Sequence, residues 1–159
     1  CSWQHLIRYM GKSNSIKATS YAEQFKLVIP DEASGLRLLA DIKWKDGFLC
    51  SKCGNTIFCK GKSDFSRRCT RCKKDESATS NTIFHRCKIP INMAMEIAYL
   101  VCNVTDISSY EISRQLDMRH MTCYGFKKKI AECNDGKRDD KLMRSLLSII
   151  QERIVSQSN

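Results

Sequence analysis

Four cysteines carry the clearest chemistry in this sequence. Cys50 and Cys53 form one C-x2-C pair and Cys69 and Cys72 a second, with fifteen residues between the pairs. Two intervening residues permit a tight turn that aims both sulfurs at one point. Four thiolates then complete a closed tetrahedral zinc site, which leaves no position for water, so the implied Zn2+ is structural and not catalytic. Cys59 lies between the pairs without a partner at x2 spacing and is set aside as a ligand. Four thiolates can also hold iron. The strongly basic surroundings, and Lys73-Lys74 in place of a glycine after the second pair, speak against an electron-transfer site.

The elements that must position these cysteines are short. With 159 residues the chain has room for one ordinary domain or a few small modules. The region 43–74 is poor in long apolar runs and suits a metal-stapled module better than a core-built one. Short strands are expected at Phe48-Leu49, Thr56-Ile57-Phe58, Phe65 to Arg68, Glu76 to Ser80 and Thr82-Ile83-Phe84, with the two knuckles at hairpin tips. This is zinc-ribbon organisation. Before it, Asp31 caps a helix over about 31–43, whose Leu36, Leu39 and Ala40 face is expected to pack on the zinc module. Asp46-Gly47 is a turn dipeptide that leads into the first knuckle.

Charge points to a polyanionic partner. The chain carries a formal +10 with a pI near 9.2. Between positions 43 and 74, ten Lys and Arg face only Asp46 and Asp64. A field of that size favours phosphate backbones. The ten cysteines do not frame a secreted disulfide scaffold, because four stand in metal spacing while Cys87, Cys102, Cys123 and Cys133 fall in core-like segments. The N-terminus lacks the apolar run of a signal peptide, and the stretch from Ile97 to Cys102 is too short to span a bilayer. A cytoplasmic, nucleoid-associated location is expected. Gly11-Lys12-Ser13 is no phosphate-binding loop, since position 6 is Leu6 and not the required glycine. Residues 1–20 read as a polar, flexible lead, with Met10 as an alternative start.

After Pro90 the period changes to helical. Ile91, Met95, Ala98 and Cys102 line one face of a helix over about 91–102. Ser108 or Ser109 caps the next helix, with Ile107, Tyr110, Ile112 and Leu116 on its apolar side. Residues 117–120 break it, and another helix runs from Met121 or Thr122 through Tyr124, Phe126, Ile130 and Cys133. Two helices joined by a short turn, with a packing helix before them, make a helix-turn-helix, although many small bundles share the pattern. In that reading His120, Thr122 and Cys123 face base edges, while Lys127, Lys128 and Lys129 face phosphates. Arg67, Arg68 and Arg71 of the ribbon add phosphate contacts. A linker over 134–140 precedes a last helix, about 140–155, striped by Leu142, Leu146, Ile149 or Ile150, and Ile154. It folds back on the helical module or, in the alternative, pairs with a second copy as a homodimer.

The fold class is therefore α+β in small modules: a four-cysteine ribbon followed by an α-helical helix-turn-helix bundle. The modules are a lead at 1–20, the ribbon with its preceding helix at 21–88, the helix-turn-helix at 89–134, and linker and amphipathic helix at 135–159.

Several motifs come in the order of a known family. Trp44-Lys45-Asp46-Gly47-Phe48-Leu49-Cys50-x2-Cys53-Gly54 resembles the start of the zinc ribbon at the N-terminus of bacterial insertion-sequence transposases of the DDE type. Cys69-Thr70-Arg71-Cys72, the stretch Ser77 to His85, Lys88-Ile89-Pro90-Ile91 and the segment Ser109 to Ile130 are similar to successive parts of the same region. The resemblance covers roughly residues 22–133. It implies zinc at the four cysteines and recognition of the element's terminal inverted repeats on double-stranded DNA. It also implies a DDE catalytic domain after the helix-turn-helix. Only 26 residues follow Cys133 here. Asp135, Asp139, Asp140 and Glu152 read as linker and surface charge, so no strand-transfer activity is expected of these residues. The alternatives are a zinc-ribbon transcription regulator and a ribbon that binds RNA or a protein.

Overall fold

The computed structural model describes residues 14–104, 106–135 and 140–158. Helix α1 (Asn14–Val28) and helix α2 (Glu32–Lys43) come first, then strands β1 (Phe58–Lys60), β2 (Arg67–Cys69) and β3 (Asp75–Glu76). Helices α3 (Ile91–Asn103), α4 (Ser109–Leu116), α5 (His120–Asn134) and α6 (Asp140–Ser158) complete the chain. The α+β class holds: a small sheet beside a helical bundle.

Helix α3 is the axis of the bundle. Ile91 and residues 94–100 are all buried, because α1, α2, α4 and α5 each pack against it. Tyr21 and Phe25 of α1 meet the Tyr99 ring at 5.8 and 5.7 Å between centroids. Gly35 lets α2 approach closely, since a Cβ there would stand 3.3 Å from Ile91 Cγ2. The Asp31 cap forms as expected, accepting the Ser34 N–H at 2.8 Å. The face of α2 turns elsewhere than the sequence suggested. Leu38, Leu39 and Ala40 are buried, and α2 packs on α3 and α6 and not on the ribbon. The bundle offers large apolar partners, whereas the ribbon is mostly polar backbone and exposed side chains.

One further expectation changes. Residues 14–20, read as part of a polar lead, form the first turns of α1, whose Ala22, Phe25 and following Ile29 are buried in the bundle. Residues 1–13 lie outside the described set. Helix α6 folds back on α1, α2 and α5, burying Met143, Leu146, Leu147, Ile150 and Ile154. That stripe packs inside the chain, as the fold-back reading expects.

The sheet is antiparallel in the order β1-β2-β3, with Phe58 opposite Cys69 and Arg68 opposite Asp75. Thr82-Ile83-Phe84 is not a strand. Its neighbours close on themselves: Ser80 N–H donates to Ser77 Oγ, Thr82 Oγ1 to the Thr79 carbonyl, and Phe84 N–H to Thr82 Oγ1. Such local side-chain bonds compete with a ladder. Ile83 and Phe84 instead enter the core, where Phe84 stacks on Phe126 of α5 at 5.9 Å.

Candidate metal centre and nucleic-acid interface

The ribbon leaves the helices at Trp44 and returns near Ser77. Its neck is held by Lys43, whose Nζ donates to the Ser77 carbonyl at 2.8 Å and to the Ser80 carbonyl at 2.7 Å. Gly47 turns the chain at φ +101° and donates to the Trp44 carbonyl. Arg67 lies between two rings, its guanidinium carbon 4.6 Å from the Trp44 centroid and 4.1 Å from Phe58.

The two knuckles repeat one geometry. Cys50 N–H donates to the Asn55 carbonyl and Cys69 N–H to the Lys74 carbonyl, both at 2.9 Å. Gly54 N–H donates back to the Cys50 carbonyl at 2.9 Å and Lys73 N–H to the Cys69 carbonyl at 3.1 Å. Gly54 and Lys73 both take left-handed backbone, at φ +72° and +62°. Lys73 therefore fills the position for which glycine is best suited.

This folding brings Cys50, Cys53, Cys69 and Cys72 together, with all four Sγ atoms within 4.8 Å of one another. Cys50 and Cys72 sulfurs lie 3.5 Å apart, as do those of Cys53 and Cys69. A tetrahedral zinc with sulfurs at its usual bond length requires edges of about 3.8 Å, so the donor set fits. Lys52 N–H and Cys72 N–H point at Cys50 Sγ and Cys69 Sγ. Asn55 Nδ2 adds a bond to Cys69 Sγ at 3.4 Å and others to the Ile57 carbonyl and Thr70 Oγ1. Burial raises the Cys69 thiol, but bonds from the Cys72 N–H, Asn55, the Arg71 N–H and Cys53 outweigh it and bring it to about 6. The Lys74 N–H favours the Cys72 thiolate, yet burial and the Cys50, Cys53 and Cys69 sulfurs push it up to about 11. Four neighbouring sulfurs resist full ionisation until a cation neutralises them. Cys59 is exposed and lies outside the cluster.

Glu76 ties the third strand to the first knuckle. It is buried, and its Oε1 accepts from Ser51 N–H at 2.9 Å and Ser51 Oγ at 2.6 Å. Lys74 Nζ reaches the same hydroxyl at 2.7 Å.

Residues 30–75 match the family model of the transposase zinc-ribbon domain. The match takes in all four cysteines, the Asp31 cap and the α2 helix. No curated protein and no solved structure matches the chain. Residues 30–75 are thus similar to a transposase zinc ribbon, and their four cysteines are grouped as such a ribbon requires.

The helical side shows α4, a short turn and α5 packed on α3. Ser108 and Glu111 form a full capping box, and Asp117 closes α4 in left-handed backbone at φ +51°. Helix α5 begins at His120, one residue earlier than expected. Its buried side is Cys123, Phe126, Ile130 and Cys133. Its exposed side is Met121, Tyr124, Gly125, Lys128 and Ala131.

The expected contact residues distribute unevenly over this surface. Cys123 is fully buried, so it packs the core and cannot reach a base edge. Lys127 Nζ is committed to the Ile107 carbonyl at 2.7 Å and serves as a tie between α5 and the start of α4. His120 is half-buried, bonded to Ser109 Oγ at 2.7 Å and stacked on Tyr110 at 3.8 Å. Thr122 and Lys129 are half-buried and Lys128 is exposed. In the ribbon, Arg67 is held by the two rings, Arg68 Nε donates to the Lys73 carbonyl, and Arg71 is exposed at the second knuckle. Tyr110, placed on the apolar side of α4 from sequence, is 65% exposed, and Tyr124 is 52% exposed. Met121, Tyr124 and Gly125 were absent from the expected contacts. The 3-4-3 spacing of Cys123, Phe126, Ile130 and Cys133 contained the signal, because it fixes the opposite face of the helix. Among the described residues no helix is long and apolar enough to cross a membrane.

Proposed function

We propose that this chain is the zinc-stabilised, sequence-specific DNA-binding part of a transposase, which recognises the ends of its element. What supports the reading is the match of residues 30–75 to a transposase zinc ribbon, together with α4 and α5, two helices joined by a short turn, the second of which presents an open face. The ribbon contributes phosphate contacts through Arg71 and its neighbouring cations, and α5 enters the major groove with Lys128 on the backbone. Zn2+ holds the knuckles and takes no part in chemistry. Strand transfer needs carboxylates that hold magnesium. On this reading these residues bind DNA, and no catalytic role is assigned to them. The site of action is the nucleoid.

Duplex binding measured across a salt series tests this. Affinity should fall linearly with salt on a logarithmic scale, and Lys128→Glu or Arg71→Glu should weaken binding to all sequences alike, each lowering the slope by about one. Affinity indifferent to salt sinks the reading. The exposed Leu49, Ile57 and Phe58 on the ribbon favour a second reading, a ribbon that binds a protein or RNA partner. Preference for RNA in direct competition with duplex DNA would select it.

A further inference from the structure

The open face of α5 has an unusual composition for a reading helix. From 121 to 128 it presents Met121, Tyr124, Gly125 and Lys128. Arg, Asn and Gln, which read guanine and adenine by paired hydrogen bonds, do not occur anywhere between residues 120 and 133. Met121 is 68% exposed, and Tyr124 beside it 52%. Tyr110 and His120 stack into a wall at the edge of this face, with His120 and Tyr124 ring centroids 6.4 Å apart.

Gly125 is the second, independent observation. Glycine inside a helix costs stability relative to alanine. Here a Cβ would meet nothing within 4 Å, and the backbone is ordinary helix. Nothing inside the molecule asks for glycine at this position, and its bare backbone lets an outside surface approach the helix closely. Exposed cations flank the face, Arg119 before the first turn and Lys128 one turn beyond Tyr124, which matches a groove walled by phosphates.

We infer that α5 reads thymine, with Met121 and Tyr124 packing on C5-methyl groups in the major groove while Gly125 lets the helix axis sit close to the base edges. The thymine methyl is the apolar feature of the major groove, and apolar side chains are its ordinary reader. The inference rests on the DNA-binding reading above and names what that site recognises.

The test uses the full chain loaded with zinc. A duplex is enriched from a random pool, and each thymine in it is then replaced by deoxyuridine, which removes one methyl and keeps every donor and acceptor. Affinity should fall about fourfold per methyl that is buried. Met121→Ala should abolish the deoxyuridine penalty at the thymine that Met121 covers and leave the penalty at the thymine under Tyr124. Gly125→Ala should raise the melting temperature by about 2–4 °C yet weaken duplex binding, a combination that a packing role does not produce. Neither side chain is in the core, so both variants fold. An enriched duplex that binds equally well with deoxyuridine at every position overturns the inference and leaves DNA recognition standing. Failure of any duplex to be enriched or bound overturns both.

Discussion

The ribbon and the bundle solve the same problem in opposite ways. From Cys50 to Lys74 the ribbon buries four residues, of which two are metal-ligand cysteines and two are the polar Asn55 and Ser66. Its three strands are two or three residues long. The bundle packs four helices against α3, which is buried along most of its length. One module is closed by a cation and a net of N–H···S bonds; the other is closed by apolar area. A short basic chain cannot bury enough surface to offset its conformational entropy, so it relies on a bound ion. The charge that makes the ribbon suited to phosphate is the same charge that denies it a core.

Removing zinc should break this comparison most sharply. Chelation, or Cys69→Ser, withdraws a binding free energy on the order of 10 kcal/mol from the ribbon. The ribbon should then lose its structure while helical circular dichroism is largely retained. Simultaneous loss of helix would show that the bundle depends on the metal.

The converse perturbation sits in α3. Glu96 is buried, its Oε1 has no hydrogen-bond partner, and the same holds for Asn92 Oδ1 one turn earlier. Burial pushes the Glu96 carboxyl up to about 7, against the pull of Lys26. Because the folded value lies above the ordinary value of 4.5, stability should fall as pH rises from 4.5 to about 7 and then level off. Glu96→Gln should remove that decline and gain on the order of 1–2 kcal/mol at pH 8 after allowance for solvent screening. Urea unfolding of both forms at pH 5 and pH 8 measures it. Zinc content should not change, and a parallel change in zinc affinity would contradict the separation of the two modules.

The smallest effect lies within the ribbon, between its two knuckles. Lys73 holds the left-handed position that Gly54 fills in the first knuckle. Lys73→Gly should stabilise the zinc-loaded protein by about 0.5–1 kcal/mol, the relief of strain exceeding the entropy that glycine adds to the unfolded chain. A thermal melt with zinc in excess reads the gain. A loss instead would show that the lysine side chain contributes more than its backbone costs.

What was legible in the sequence was local. Knuckle spacing, the Asp31 cap, a serine cap at 108 or 109 and a break within 117–120 all depend on residues within a few positions of one another. What was not legible depended on which surface an element meets. The leucine face of α2 is the same whether it packs on a ribbon or on α3. Thr82-Ile83-Phe84 has strand-like composition, yet its serine and threonine neighbours form turns and its apolar pair is drawn to Phe126. Tyr110 sits at a helical spacing that suits a core, and only the packing of α4 on α5 shows it facing out. Glu96 gave no sign of burial because a single acid among apolar residues looks like the wet side of a helix. Position along a reading helix does not separate Cys123, which is buried, from its exposed neighbours; only the face does.

The neck at Lys43 has a mechanical meaning. One ammonium cinches the point where the ribbon leaves the helices and the point where it returns. A lobe hinged at such a pin is a lever, and its arm carries the more basic of the two surfaces. On the proposed reading, the pin sets the helical phase between the phosphate track under the ribbon and the groove under α5. The spacing of the two footprints along DNA would then be written in the three oxygen atoms that one lysine holds.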